Sequence, residues 1–77
     1  MDDHDFARKA IEDGDLWQVK RKKRKAFPII GIPVDGEKEF GDVGLSHGWL
    51  HFKDHQTGTV AGFCGVSYFR KNGIEIS

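Results

Sequence analysis

The sequence predicts an α+β fold in which a short N-terminal helix packs on a curved antiparallel sheet of four to five strands, with barrel-like curvature. Three observations lead to this prediction. Apolar residues near the N-terminus recur at helical spacing, whereas after residue 45 they alternate as in β-strands. Glycines interrupt the predicted strands, which is typical of sharply bent sheets. Because the chain has 77 residues and no long linker, we expect residues 1–77 to form a single domain.

The predicted helix covers residues 3–13. Its apolar residues fall on a single stripe, namely Phe6, Ala7, Ala10 and Ile11. Asp3 or Asp5 is suited to cap its first turn, and Gly14 is suited to end it. Because eleven residues make a marginal helix in isolation, the stripe must dock on the sheet.

The middle of the chain predicts short, irregular strands. Residues 16–27 favour a strand, and a helix through the basic residues is the alternative. Residues 27–34 alternate as a strand, and their two prolines predict an edge or irregular position because proline lacks an N–H donor. Asp35-Gly36 predicts a tight turn, followed by a short return strand over residues 37–43.

The stretch from Leu45 to Phe69 predicts a hairpin of two long strands. A loop over residues 55–58, with Gly58 in the left-handed conformation, would pair Phe52 with Ala61 and Leu50 with Phe63. The second strand is apolar on both faces. We therefore expect it to be central in the sheet and covered on both sides.

Asn72-Gly73 predicts a second hairpin at the C-terminal end of the sequence. Asn-Gly is the strongest short hairpin signal, and as a two-residue loop it would pair Phe69 with Ile76 and Arg70 with Glu75. An apolar pair on one face and an opposite-charge pair on the other is favourable cross-strand chemistry.

Charge is segregated along the chain although the formal net charge is zero. Six acids and two bases occupy residues 1–15, six consecutive bases occupy residues 20–25, and four acids and one base occupy residues 35–42. The candidate binding residues are the basic run and a neighbouring tryptophan, namely Lys20, Arg21, Lys22, Lys23, Arg24, Lys25 and Trp17.

The basic run allows three interpretations. Cations placed along phosphates bind nucleic acid in a salt-dependent way, and Trp17 and Phe27 could stack on bases. An acidic protein surface is the second interpretation. The third is a solvated strand or loop, partly neutralised by the acids of residues 35–42, namely Glu37, Glu39 and Asp42.

Histidine and cysteine residues in the central stretch do not predict a reactive site. In an extended strand His47 and His51 would lie about 13 Å apart, too far to share a metal ion. His51 and Cys64 share a predicted strand face, but a glycine-flanked cysteine in an apolar strand is typical of a buried thiol. We therefore expect no metal, no cofactor and no enzymatic activity.

A single cysteine predicts a reducing compartment, since no disulfide can form within one chain. The acidic start of the sequence lacks the apolar segment of a secretory signal, and no apolar run is long enough to span a bilayer. We therefore expect a cytoplasmic protein without a membrane partner. The oligomeric state does not follow from the sequence.

These observations together predict a small, non-enzymatic binding or regulatory protein. We expect it to dock on a larger protein or complex through its charged surfaces. Inhibitors and accessory factors that phages and other mobile elements encode are typically of this size, and size alone suggests that class. The alternative is a small nucleic-acid-binding domain that uses residues 20–25.

Overall fold

The structure is a computed structural model that describes residues 1–23 and 25–76. Its elements in chain order are α1 (Asp3–Asp13), β1 (Trp17–Val19), β2 (Ile29–Val34), α2 (Gly36–Phe40), a 3-10 turn (Leu45–His47), β3 (Trp49–Lys53), β4 (Val60–Gly65), α3 (Val66–Asn72) and β5 (Gly73–Glu75). Arg24 lies outside the described residues. Within the described part of the chain, no helix has the length and apolar character needed to cross a membrane.

The five strands form one antiparallel sheet in the order β4-β3-β2-β1-β5, which confirms the predicted α+β class. The sheet is strongly curled. Cα atoms of β2 and β4 come within 8 Å of each other although β3 lies between them, whereas in a flat sheet they would be about 9.5 Å apart. The curl does not close a barrel, because the outermost strands β4 and β5 do not pair.

The concave face of the sheet and the helices α1 and α3 enclose the core. Phe69 of α3 lies at its centre, with no exposed surface, and its ring contacts those of Phe6, Trp17 and Phe52 at centroid distances of 5.7, 4.8 and 5.6 Å. The predicted docking of the N-terminal helix is therefore confirmed, and α3 is a second helix in the same layer.

The helix α1 has the predicted bounds, with a different cap. The Asp2 carboxylate accepts the Asp5 backbone N–H at 2.8 Å, so Asp2 is the N-cap instead of Asp3 or Asp5. Gly14 ends the helix with φ 69°, as predicted. Because Asp2 precedes the first helical residue, its carboxylate reaches an N–H that has no partner within the helix.

The strands around the basic run differ from the prediction. Only Trp17–Val19 of residues 16–27 is a strand. β2 is the central strand and not an edge, but it is irregular, as the other alternative allowed: Ile29–Gly31 pair with β1 and Ile32–Val34 pair with β3. Pro28 precedes β2, and Pro33 lies beyond Gly31, where pairing with β1 stops. The missing proline N–H is tolerated there because that side of β2 has no partner strand.

The predicted return strand over residues 37–43 is wrong, since Gly36–Phe40 is a helix. The Asp35 carboxylate accepts the N–H of Glu37 at 3.1 Å and that of Leu45 at 3.2 Å. Asp-Gly, which suggested a tight turn, is thus a helix N-cap followed by the first helical residue.

The hairpin of β3 and β4 is confirmed, but its register and its place in the sheet are not. Gly58 is left-handed, as predicted, with φ 75°. Lys53 pairs with Val60, as the predicted register requires, and then Ala61 forms a bulge that shifts the remaining pairs by one residue, to Phe52 with Gly62 and Leu50 with Cys64. β4 is an edge strand, not the central strand expected from its apolar sequence.

The predicted C-terminal hairpin is wrong. Residues Val66–Asn72 form α3, and β5 pairs with β1 instead of folding back on residues 69–70. The Asn72 side chain donates to the Tyr68 carbonyl at 3.1 Å, and Gly73 is extended with φ −78°. Burial of Phe69 in the core outweighs the local turn preference, because a fully buried phenylalanine contributes several kcal/mol.

We predict that Phe69→Ala lowers the free energy of unfolding by about 3–5 kcal/mol, because truncation removes the centre of the aromatic core. Urea unfolding followed by tryptophan fluorescence measures this loss. If Phe69→Ala is unfolded without denaturant, Phe69→Leu should give a smaller, measurable loss. Phe27→Ala is the matched control, since Phe27 is 88% exposed, and should change the free energy by less than about 0.5 kcal/mol. Equal losses for the two alanine variants would contradict this core.

Candidate partner-binding groove

An open groove of about 550 Å³ lies between β4 and the segment that follows β1, described at residues 20–23 and 25–26. We call it the basic groove. Its loop side is lined by Lys20, Arg21, Lys22, Lys23 and Ala26 together with Ile29 of β2, and its other side by Trp49, Phe63, Cys64, Gly65 and Tyr68. The groove therefore brings the basic run together with aromatic residues from a distant part of the sequence.

Three contacts hold the segment of residues 20–23 and 25–26, which we call the basic loop, and two of them join it to Tyr68. The Tyr68 hydroxyl of α3 donates to the Lys20 carbonyl, and Arg21 Nε donates to the Phe27 carbonyl at 2.8 Å. Lys22 Nζ lies 5.6 Å from the centre of the Tyr68 ring, within the range of a cation–π contact. These contacts hold the loop beside β4 while the side chains of residues 20–23 remain exposed.

The cations of the groove are not neutralised by the acids that the sequence suggested. Glu39 pairs with Lys53 at 3.6 Å, Asp42 contacts His51 at 3.4 Å, and Glu37 accepts the Ser46 hydroxyl at 3.3 Å. Within residues 1–23 and 25–76, no carboxylate forms an ion pair with residues 20–23 or with Lys25. The third interpretation of the basic run thus gains no ion pair from these acids among the described residues.

Two aromatic side chains on the opposite wall are unusually exposed. Trp49 is 41% and Phe63 is 53% exposed, and their rings meet edge to face at a centroid distance of 5.5 Å. Phe63 also stacks on the His51 ring at 5.3 Å. Exposed aromatic side chains that are held rigidly by neighbours are typical of binding surfaces.

His51 supports Phe63 from beneath. Its ring is only 3% exposed, and Nε2 lies 3.4 Å from the Asp42 carboxylate. The Val43 backbone N–H and then His51 hold the pKa of Asp42 below its usual value. His51 Nδ1 is buried and has no hydrogen-bond partner among the described residues. The imidazole thus packs beneath the aromatic wall and does not open into the groove.

The other residues of the predicted site lie away from the groove. Trp17 packs in the core between Phe6 and Phe69, and its indole nitrogen is buried, so its ring does not face a ligand in the groove. Lys25 is exposed without lining the groove, and Arg24 lies outside the described residues. Of the seven predicted site residues, the structure brings Lys20 to Lys23 together.

The pair of His51 and Cys64 is not assembled. The bulge at Ala61 places Cys64 opposite Leu50 on the concave face, whereas His51 lies on the convex face opposite Phe63. Burial raises the pKa of Cys64 to about 11, which is the reverse of what an activated thiol needs. In the described part of the chain, no three His, Cys, Asp or Glu side chains are arranged to hold a metal ion.

Sequence reasoning missed Trp49, Phe63 and Tyr68 as groove residues. It placed the aromatics of β4 under a second covering layer. The signal against this was the length of the chain: a 77-residue chain leaves a large share of its surface exposed, so part of the sheet must remain uncovered.

We predict that Cys64 reacts with a thiol-specific reagent at pH 8 at least about 100-fold more slowly in the folded protein than in urea. A pKa of about 11, against an ordinary value of 9.0, lowers the thiolate fraction about 100-fold, and burial restricts access further. The native rate should rise about tenfold per pH unit up to pH 10. Since Cys64 is the single cysteine, labelling has no background. Equal rates in buffer and urea, or a native rate that levels off near pH 8, would contradict the buried position.

Comparisons of this chain with known proteins found no match. No protein-family model matches the chain, no curated protein matches its sequence, and no solved structure matches its fold. The functional interpretation therefore depends on the residues of the groove themselves.

Proposed function

We propose that this is a small, non-enzymatic binding protein that docks on a larger protein or complex through the basic groove. The observation that supports the proposal most strongly is that four adjacent cations without ion-paired carboxylates share one groove with two exposed aromatic rings. Such a surface offers both charge and apolar area to a partner.

The two kinds of side chain have different roles in docking. The cations attract an acidic partner and accelerate association, since complementary charge steers encounter more than it adds affinity. Trp49 and Phe63 supply apolar area, and aromatic residues dominate the binding energy of many interfaces. Because Tyr68 and His51 fix the two walls, little ordering is needed when the partner binds.

Charge placement supports the same proposal. Acids elsewhere in the chain pair with other cations: Asp5 with Arg8, Asp13 with Lys9, and Asp3 with Arg70. The groove thus keeps its positive field although the whole chain is neutral. We propose a regulatory role, as an inhibitor or accessory factor, because a protein of this size acts on a larger one by covering part of its surface. A reducing, cytoplasmic setting fits the free thiol of Cys64.

Single-stranded nucleic acid is the second candidate partner, and one observation favours it. Trp49 and Phe63 lie in the same groove as Lys20 to Lys23, and proteins that bind single strands combine such cations with aromatic side chains on which bases stack. Binding of this kind would not be sequence-specific, because no base-reading arrangement accompanies the cations.

We predict that Lys22→Ala/Lys23→Ala lowers capture of the protein partner about tenfold, or roughly 1.4 kcal/mol, because both cations line the groove. The measurement is a quantitative pull-down from a lysate of the source organism at about 100 mM salt. The matched control is Lys38→Ala/Lys71→Ala, which removes the same charge from exposed residues outside the groove. Equal losses for the two variants, or no loss for either, would contradict docking through the groove.

The nucleic-acid candidate predicts binding of a fluorescent single-stranded oligonucleotide at about 50 mM salt. With four cations on phosphates, the logarithm of the binding constant should fall against the logarithm of salt with a slope of about −3, and Lys22→Ala/Lys23→Ala should reduce that slope by about 1.4. Phe63→Ala should weaken single-strand binding by about 1–3 kcal/mol and leave any duplex binding unchanged. If fluorescence anisotropy detects no complex at this salt concentration, the nucleic-acid candidate is eliminated.

A further inference from the structure

The outer edge of β4 has no partner strand in the described structure. β4 is an outermost strand and pairs with β3 alone, and none of the backbone bonds of the described loops and turns reaches its outer side. Exposed edges in proteins usually carry charged residues or proline that discourage further pairing. β4 carries neither, since its sequence is Val60-Ala61-Gly62-Phe63-Cys64-Gly65. Its bulge at Ala61 lies at the start of the strand, and Gly62–Gly65 beyond it pair with β3 in regular register.

The basic groove lies against the last three residues of this strand. Phe63, Cys64 and Gly65 of β4 form one of its sides, and Lys20 to Lys23 form the other. Arg21 lies close enough to β4 that a side-chain carbon added at Gly62 would lie 3.1 Å from its guanidinium. A chain that enters the groove therefore meets unpaired backbone on one side and cations on the other.

We propose that β4 accepts an extended, acidic segment of the protein partner as a sixth strand of the sheet. This inference depends on the proposed function and specifies how the partner is held. Main-chain hydrogen bonds to an open sheet edge give affinity, and pockets for alternate side chains give specificity. In the groove, one set of alternate side chains faces Lys20 to Lys23 and selects carboxylates, while the other set lies near Phe63 and Trp49 and selects apolar residues.

The charges of the groove favour an acidic segment of another protein as the strand that pairs with β4. A second copy of this chain would place its own β4 beside the first, and because β4 has no carboxylate the cations of both copies would remain unmatched. A nucleic-acid strand would match the cations but would leave the N–H and C=O groups of β4 without partners. An acidic polypeptide strand satisfies both requirements at once.

The test uses a displayed library of random peptides of about twelve residues, panned on the wild-type protein and counter-selected on Lys22→Ala/Lys23→Ala. We expect enriched peptides in which Asp or Glu alternates with β-branched or aromatic residues. A synthetic copy is then N-methylated at one backbone position at a time, which removes single N–H donors and leaves side chains unchanged. We expect losses of tenfold or more at every second position and little effect between them, since a strand directs alternate N–H groups to its neighbour.

Hydrogen exchange of the protein with and without the peptide locates the contact. We expect peptide-dependent protection of amides within residues 60–65. No acidic enrichment, uniform tolerance of N-methylation, or protection confined to other residues would overturn strand addition. So would displacement of the peptide by a single-stranded oligonucleotide that binds more tightly, or a dimer in sedimentation with β4 protected before peptide is added.

Failure of this inference can be separated from failure of the proposed function. If Lys22→Ala/Lys23→Ala lowers capture of the host partner while the N-methylation scan shows no alternation, the partner docks in the groove without adding a strand. If the double variant changes neither partner capture nor peptide binding, both the proposed function and the strand addition are wrong.

Discussion

The close packing of Gly62 against Ile29 gives the sheet the curl on which the rest of the structure depends. A Cβ at Gly62 would lie 2.9 Å from Ile29 Cγ1, and a Cβ at Gly31 would lie 2.8 Å from the Lys53 carbonyl oxygen. Both glycines therefore allow neighbouring chain segments to approach more closely than any other residue would. The resulting concave face encloses Phe52 and Phe69. The curl also turns β4 toward the basic loop, while the outer edge of β4 stays without a partner strand.

A bulge of one residue at Ala61 places an exposed aromatic side chain, Phe63, on this edge strand. Without it, Phe63 would lie opposite Leu50 on the concave face; with it, Phe63 lies opposite His51 and is half exposed, while the smaller Cys64 enters the core. A one-residue shift exchanges the two faces of a strand because side chains alternate. The same bulge therefore shapes the core and supplies the aromatic wall that faces the basic loop.

Elements were predicted correctly from the sequence where the local signals, such as apolar spacing and turn glycines, favour the same structure as burial of the side chains does. The stripe of α1 with Gly14 after it and the β3–β4 hairpin with Gly58 in its loop belong to this group. The prediction was wrong where contacts between distant parts of the chain determine the local structure. The Asn72-Gly73 turn signal was overridden by burial of Phe69, and the bulge at Ala61 has no local signature. The cations of the groove could be predicted from the sequence because they are adjacent in the chain. The aromatic wall could not, because it depends on the order of the strands in the sheet, which no single segment encodes.

The sheet curls until Gly62 of β4 packs against Ile29 of β2, which leaves the edge of β4 beside the basic loop. Nuclear Overhauser effects in the free protein test this curl most directly. We expect contacts between the Hα atoms of Gly62 and the methyl groups of Ile29, together with contacts between Leu50 and Cys64 that report the bulged register. Absence of the Gly62–Ile29 contacts, with Leu50 instead contacting Phe63 across the strand pair, would contradict the curl and the groove that it creates.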